Sequence, residues 1–479
     1  MMKKITDVFV FSQEKKSLFL AEIEFDSKIR KIKPIKEYSA TQKKLISSMK
    51  KLKGSRTSFL SGSPEVFDGN YNLLIPAGID PHVHFDDPGF EFRENFYTGT
   101  LSAVFGGITT IIDMPCTSVP PVINKENLQR KLEVVSPKAV IDFAFWGGVS
   151  GTEFDDNLEV EKFMSDLAES GVVGYKTYLI SGMKEFTELN EERLEKVANI
   201  AKKLNLPVAV HAEDKDLVRN RRHKLQKKNK NEFSDYCRAR DVKAEVTAVK
   251  KVINIARRSG AQFHIVHLSS KKSMELVRKA HMGGVKINTE TCPHFLAFTQ
   301  SDYKEIGSIL KTAPPVKKEE DKTALWQGLQ EGVINFVATD HAGCIPEKEK
   351  FTGNIWDDYA GIPGTEMLIP YIFNDGYLKN KLSLEKTIDI ISTNAAKFYS
   401  LYPNKGSLKI DTDADFTVIN LTEENIIDPD NLHSKGKYTP FEGRKFNTKI
   451  EKTFCRGNLL IDKNKFLGKK GIGKYIPVK

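Results

Sequence analysis

Eight short apolar runs, each followed by enough chain for a helix, limit what this sequence can fold into. They cover residues 73–80, 109–114, 140–146, 175–180, 207–212, 263–268, 285–289 and 333–340. All are rich in Val, Ile and aromatics and nearly continuous in hydrophobicity, as strands covered on both faces must be. Helical patterns such as 94–105, 191–204, 242–258 and 273–280 fill the gaps. Eight such alternations predict an α/β chain with a (β/α)8 TIM-like barrel. A doubly wound sheet shows the same alternation, and the count alone leaves it open.

The two ends read differently. Residues 4–36 alternate apolar and polar positions through Val8, Val10, Phe19, Leu20, Ala21 and Ile23, as antiparallel strands do. Residues 40–53 carry Leu45, Ile46, Met49 and Leu52 on one helical stripe, which predicts an inserted surface helix. After 401 the run GSLKIDTDADFTVINL returns to turn-and-strand patterning. The expected partition is 1–74 and 401–479 as two parts of one small β-sandwich domain, with the 40–53 insert in the first, and 75–400 as the barrel.

Charge and cysteine usage narrow the partners. The formal charge is +10, but it is concentrated in places such as 219–230 (RNRRHKLQKKNK), where no aromatics interleave to stack bases. The expectation is a solvated basic face and no nucleic-acid partner. The five cysteines, at 116, 237, 292, 344 and 455, form no CxxC and no close pair. That usage predicts a reduced, cytoplasmic chain without a disulfide framework. No segment approaches the roughly 20 apolar residues of a membrane span.

Chemistry gathers at the ends of the predicted strands. His82 and His84 are two apart on the first strand, so both imidazoles face one side and can reach one metal ion. Lys176 lies in the fourth strand, His211 ends the fifth, His267 the sixth and Asp340 the eighth. Barrel active sites are built at this rim. The chain has only 10 histidines, and four of them fall here.

The segments that carry these residues are IPAGIDPHVHFDDPG, GGITTIIDMPCTSVPP, GYKTYLISG, VAVHAED, FHIVHLSS, NTETCPHFL, KTAPP and FVATDHAGC, in that order. In this they resemble the cyclic amidohydrolases, the allantoinase, dihydroorotase and hydantoinase branch of the amidohydrolase superfamily. GSLKIDTDADFTVINL and YTPFEGRKF resemble the family's closing β-domain segments. The resemblance implies two Zn²⁺ per chain: one held by His82, His84 and Asp340, the other by His211 and His267. Lys176 is implied as a bridging carboxylated lysine. Burial beside two cations favours a neutral amine, which can add CO₂ to give a carbamate with one oxygen per metal. Asp340 is then the general base and acid that moves a proton from water to the departing ring nitrogen. A soluble homo-oligomer, dimer or tetramer, follows from family habit.

Three positions bear on the ring. Dihydroorotases resemble HxHxR, with an Arg for the substrate carboxylate; here Phe85 and Asp86 follow His84. An aspartate cannot make Arg's fork-to-fork pair. The chain also has Cys116 after Met114-Pro115, and Ala313 before Pro314-Pro315, where dihydroorotases tend to have Asn. Allantoinase motifs (HxHxNEPG, DMPLNSxPP, ETCPHYL, CAPP, SDHSPC) are the nearer resemblance. Hydantoinases favour Tyr where Ser181 stands and Ser where Ala313 stands. The expectation is therefore zinc-dependent opening of a small cyclic amide, allantoinase-like. Dihydroorotase is the alternative, with Arg93 as a substitute carboxylate binder, then a hydantoinase or dihydropyrimidinase. A non-catalytic scaffold is the remote case. Asp86 and the backbone near Ala313 and Gly364 are the expected substrate contacts. Cys292, His294 and His264 are expected to pack around the site, Cys344 to line a loop, His433 to be exposed, and Arg238 or Arg240 to pair with Glu245.

Overall fold

The computed structural model describes residues 1–55 and 65–478. The barrel is closed by parallel strands. In order they are Gly78–His84, Ile108–Asp113, Asp142–Phe145, Tyr175–Tyr178, Val208–His211, Phe263–Ile265, Ile287–Thr291 and Phe336–Val337. The third strand continues past Trp146 as Gly147–Gly148, and the last continues past Asp340 as His341–Ala342. That last piece pairs with the first strand, His341 against Val83 and Ala342 against His84, which closes the ring. Val208 and Val210 are fully buried, as are Phe263 and the rest of the strand interior. Helices Phe96–Phe105, Glu191–Lys203, Val242–Ser259 and Lys271–Met282 lie where the sequence places them, within a few residues at each end.

The run at 73–80 is two strands rather than one. Leu73 to Pro76 completes strand Val66–Pro76 of a separate sheet, where Pro76 opposes Phe416. At Ala77 the backbone changes partner, its N–H donating to Asp415 O at 3.1 Å, and Gly78 begins the barrel. Periodicity misses the change because both stretches are buried.

That separate sheet joins the two chain ends. Its order is Lys465–Phe466, Asn458–Asp462, Lys449–Cys455, Phe416–Asn420, Val66–Pro76, Lys3–Ser12, Ser17–Phe25 and Ile29–Tyr38. Phe25 and Phe416 stand on strands with two others between them, yet their rings meet at 5.0 Å, and Phe25 also meets Phe454 at 5.4 Å. The sheet therefore curls on itself around an apolar filling, as a small sandwich does. The helix expected at 40–53 is Gln42–Gly54, but it is no mere surface insert: Leu45 and Met49 are fully buried against the chain's main core.

A buried ion cluster bolts this sheet to the barrel. Lys405 Nζ lies 2.6 Å from Asp142 on the third barrel strand, 2.6 Å from Asp415 and 3.0 Å from Asp413. Arg456 also pairs with Asp142. In the basic 219–230 stretch, Arg219 pairs with Glu188 and Arg221 with Asp241, so part of its charge is already neutralised. Among the described residues, no helix is long and apolar enough to cross a membrane.

Candidate metal centre

The first barrel strand delivers His82 and His84 to its C-terminal end on one face. Their Nε2 atoms each stand 3.2 Å from the same oxygen, Asp340 Oδ1. The ligand atoms of these three residues lie within 4.8 Å of one another. The neighbouring strands add the rest. The His82 and His267 ring centroids are 5.6 Å apart, and those of His267 and His211 4.6 Å. Lys176, from the fourth strand, stands 5.0 Å over the Tyr178 ring, which stacks on His211 at 5.3 Å. All six residues expected at the rim therefore occupy one continuous patch.

Two observations test whether these side chains suit a cation. His82 Nε2 and Lys176 Nζ are buried without a hydrogen-bond partner. Orphaned buried polar atoms cost several kcal/mol unless something binds them, about 1–3 kcal/mol even for a neutral group. Second, the donors from the fourth, fifth and sixth strands are in the right protonation state, whereas burial works against the His84 charge but Cys116 and Asp340 overcome it and raise His84 to about 10 while no cation is bound. Burial lowers the pKa of His211 and His267 and of the Lys176 amine, favouring neutral nitrogens with free lone pairs. Burial works against the Asp340 charge, but the facing His82, His84 and His267 rings hold its carboxyl well below the usual range. A zinc-type ion takes neutral imidazoles around an ionised carboxylate, so its binding would displace the proton that His84 otherwise shares with Asp340.

Buried acids orient the rings, and sequence reading missed them. Glu290, in strand Ile287–Thr291, is fully buried and bonds both His82 Nδ1 and His264 Nε2, the latter at 3.0 Å. Asn288 Nδ2 donates to His264 Nδ1 at 2.8 Å, so His264 carries its proton on Nε2 and gives it to Glu290. Burial alone would raise Glu290; His82 and His264 overcome it and hold the carboxyl at about 2. With Nδ1–H bound to Glu290, His82 presents the Nε2 lone pair to the centre. Glu213 does the same for His211, meeting Nε2 at 2.9 Å and leaving Nδ1 free; Arg240 is its counter-ion. The expected Arg–Glu245 pair does not form. Arg240 reaches back to Glu213, Arg238 pairs with Asp235, and Glu245 instead bonds Ser269 and Ser270 just after His267. An acid in a predicted buried barrel strand, Glu290 in INTET, is the signal that could have found this layer.

His267 and Asp340 have φ of 39° and 52°, and Asp86 one of 44°. Left-handed non-glycine backbone costs about 1–3 kcal/mol per residue and persists where the surroundings hold it. Thr339 supplies part of that hold for Asp340, donating to Asp80 from its N–H at 3.0 Å and its hydroxyl at 2.5 Å.

The expected substrate contacts differ from one another. Asp86 is 1% exposed, its Oδ2 has no partner, and burial pushes its carboxyl well up. Gly364 has its N–H engaged by His341 Nδ1 at 3.2 Å and its carbonyl by Met367 N at 3.0 Å. Ala313 follows Thr312, whose carbonyl accepts from Tyr236 Oη at 2.9 Å. Arg93 is clamped by Glu349 through Nε at 2.7 Å and Nη2 at 2.6 Å, and it stacks on Tyr359. His433 is not an exposed residue: it stacks on Phe105 at 3.4 Å and bonds Glu366 at 3.0 Å. His294 and Cys292 are buried beside the centre, and His294 Nε2 has no partner. A second acidic group, Asp142, Asp415 and Cys455, already holds the Lys405 ammonium.

Residues 73–460 match the amidohydrolase family, and the chain belongs to it. An allantoinase of Deinococcus radiodurans is 33% identical over 396 residues, which is 82% of this chain and 86% of that protein. An allantoinase of Streptomyces avermitilis is 34% identical over 405 residues, 84% and 87% of the two chains. Among solved structures, a dihydropyrimidinase from Brevibacillus agri superposes with a TM-score of 0.87 at 25% identity, covering 100% of this chain and 99% of that one.

Proposed function

We propose that this amidohydrolase opens a neutral ureide ring of the allantoin type, using two zinc-type ions held by His82, His84, Asp340, His211, His267 and carboxylated Lys176. The observation that carries the reading is the convergence of two histidine Nε2 atoms on one Asp340 oxygen beside an unpartnered buried lysine. The Lys176 amine, favoured neutral by burial, would add CO₂: the N–C bond forms as one C=O π bond of CO₂ opens and one N–H proton leaves, giving a carbamate with two oxygens. When bound, the ions supply Lewis acidity toward the ring carbonyl and lower the pKa of water.

The chain's own residues do the remainder. Glu290 and Glu213 fix the tautomers of His82 and His211. Asp340, 18% exposed and facing the centre, takes a proton from the attacking water and hands it to the ring nitrogen as the C–N bond breaks. Its low basicity is offset by holding donor and acceptor in line. Within this reading residues 75–400 form the catalytic unit, 1–74 and 401–479 the sandwich beside it, and the molecule assembles as a dimer or tetramer in the cytoplasm.

Two features favour a neutral ring over dihydroorotate. Asp86 stands where a carboxylate-binding Arg is expected, with a free oxygen suited to a ureide N–H. Arg93, the candidate substitute, is engaged by Glu349. A panel of allantoin, dihydroorotate, dihydrouracil and hydantoin on zinc-loaded protein tests this. Allantoin should give the highest kcat/KM; rapid dihydroorotate turnover without allantoin turnover refutes the assignment.

A further inference from the structure

The strand that carries Asp340 is closed off by a segment from the far end of the chain. Residues 433–438 lie along the rim and are anchored on several elements at once. The Lys435 N–H donates to Glu94 Oε2 at 3.2 Å, and His433 N to Glu366 Oε2 at 3.0 Å. The Tyr438 hydroxyl donates to Gly361 O at 3.1 Å, with Ala342 O at 3.4 Å and Cys344 Sγ at 3.2 Å around it. The packing is tight: a Cβ on Gly436 would stand 2.5 Å from Cys344 O.

These anchors matter because the strand itself is so short. Beyond Asp340 it is only His341–Ala342. Its inner edge pairs with His84 and its outer edge with Ile362, Ala342 N to Ile362 O at 3.1 Å. Asp340 sits immediately before it in a left-handed conformation. Asp80 fixes the preceding residue through Thr339, and Glu94, Thr365 and Gly364 hold the His341 side chain just after it, so the C-terminal segment adds its hold at the far end of the strand, at Ala342. There, the Tyr438 oxygen joins Ala342, Cys344 and Gly361 into one unit. Gly361 approaches so closely that an added Cβ would meet Ala342 O at 2.6 Å.

We infer that Tyr438, delivered by the C-terminal segment 433–438, is a positioning residue for Asp340. Its hydroxyl holds the two-residue strand that aims the carboxylate at His82 and His84. The inference rests on Asp340 being the proton carrier, and on no assignment of the ring.

The test is Tyr438→Phe, which keeps the aromatic ring and removes the oxygen. A misplacement of about 1 Å costs up to a hundredfold in rate, so kcat should fall about tenfold or more. KM should stay within about twofold, and zinc content and melting midpoint should match the wild type. A crystal structure of the variant should show Asp340 Oδ1 withdrawn from one or both histidine Nε2 atoms. Gly436→Ala, which pushes on Cys344 O, should give the same selective loss in kcat. Unchanged kcat with Asp340 in place overturns the inference. So does a joint fall of kcat, zinc content and melting midpoint, which marks a merely structural residue. If the wild type opens no ring in the panel, the functional reading fails while the crystallographic arm still decides this one.

Discussion

Glu290→Gln tests the layer proposed to make His82 a metal ligand. Glu290 accepts two N–H groups in a fully buried setting, from His82 Nδ1 and His264 Nε2. Glutamine keeps the shape but has one acceptor oxygen and one donor NH₂. The Asn288 bond fixes the His264 proton on Nε2, so whichever way the amide turns, its NH₂ faces a ring N–H. One charge-assisted bond, worth about 1.5–3 kcal/mol, is lost and one buried donor is left without a partner. At 1.36 kcal/mol per decade that is roughly one to two orders of magnitude, in line with the 10–100-fold typical of partners behind metal ligands. The loss should appear in zinc affinity, measured by chelator competition, and in kcat/KM at limiting zinc. It should be partly recovered by excess zinc, because the His82 ring is still present. Zinc affinity and kcat/KM both within twofold of the wild type would show that Glu290 does not set the His82 tautomer, and the account of the centre would be wrong.

Three further expectations follow from the same structure. Lys176→Met should leave at most one tightly bound zinc per chain by elemental analysis and lower kcat about a hundred- to a thousandfold, the scale of losing one transition-state stabiliser; retention of two ions refutes the bridging role. Asp86→Ala should raise KM for the preferred ureide about tenfold with zinc content unchanged, since one hydrogen bond to a ligand is worth about 1–1.5 kcal/mol; an unchanged KM removes Asp86 from the ring contacts. Lys405→Met should destabilise the chain by about 3–5 kcal/mol in urea titrations, because it leaves the buried Asp142 and Asp415, and the partly exposed Asp413, around a missing cation. Burial alone would lower the Lys405 pKa, but Asp415 and its neighbours raise it above the ordinary value. Its contribution is therefore complete below the unfolded pKa of about 10.4 and fades as pH rises beyond it, so the difference between wild type and variant should shrink only in strong alkali.

How far the sequence carries depends on how local each signal is. The two-residue spacing of His82 and His84 is a property of one strand, and it predicts a shared face without knowledge of any neighbour. The strand-end positions of His211, His267 and Asp340 need only the alternation of runs, and the structure places all of them at one rim. The terminal sheet is legible as strands at both ends, but its seam between Val66–Pro76 and Phe416–Asn420 joins residues some 340 apart, and no local pattern encodes that pairing. The boundary at Ala77 is hidden for a related reason: both sides of it are buried, so hydrophobicity does not change where the partner does.

The residues that orient the centre were the least legible. Glu290, Glu213 and Glu94 look like ordinary acids in their own segments. What makes each consequential is a partner 2 to 341 positions away: His211 for Glu213, His82 for Glu290, Lys435 for Glu94. Only the first of these lies within a local window. A buried acid in an apolar stretch nevertheless demands a cation or donors, since leaving it alone costs more than any helix cap or turn can return. Glu290, in a fully buried strand, and Glu213, just past His211, are two such residues beside the centre. The same demand applies to the Lys176 amine, and it is these two buried nitrogens without a hydrogen-bond partner, Lys176 Nζ and His82 Nε2, facing the Asp340 carboxylate, that favour a bound cation at the rim.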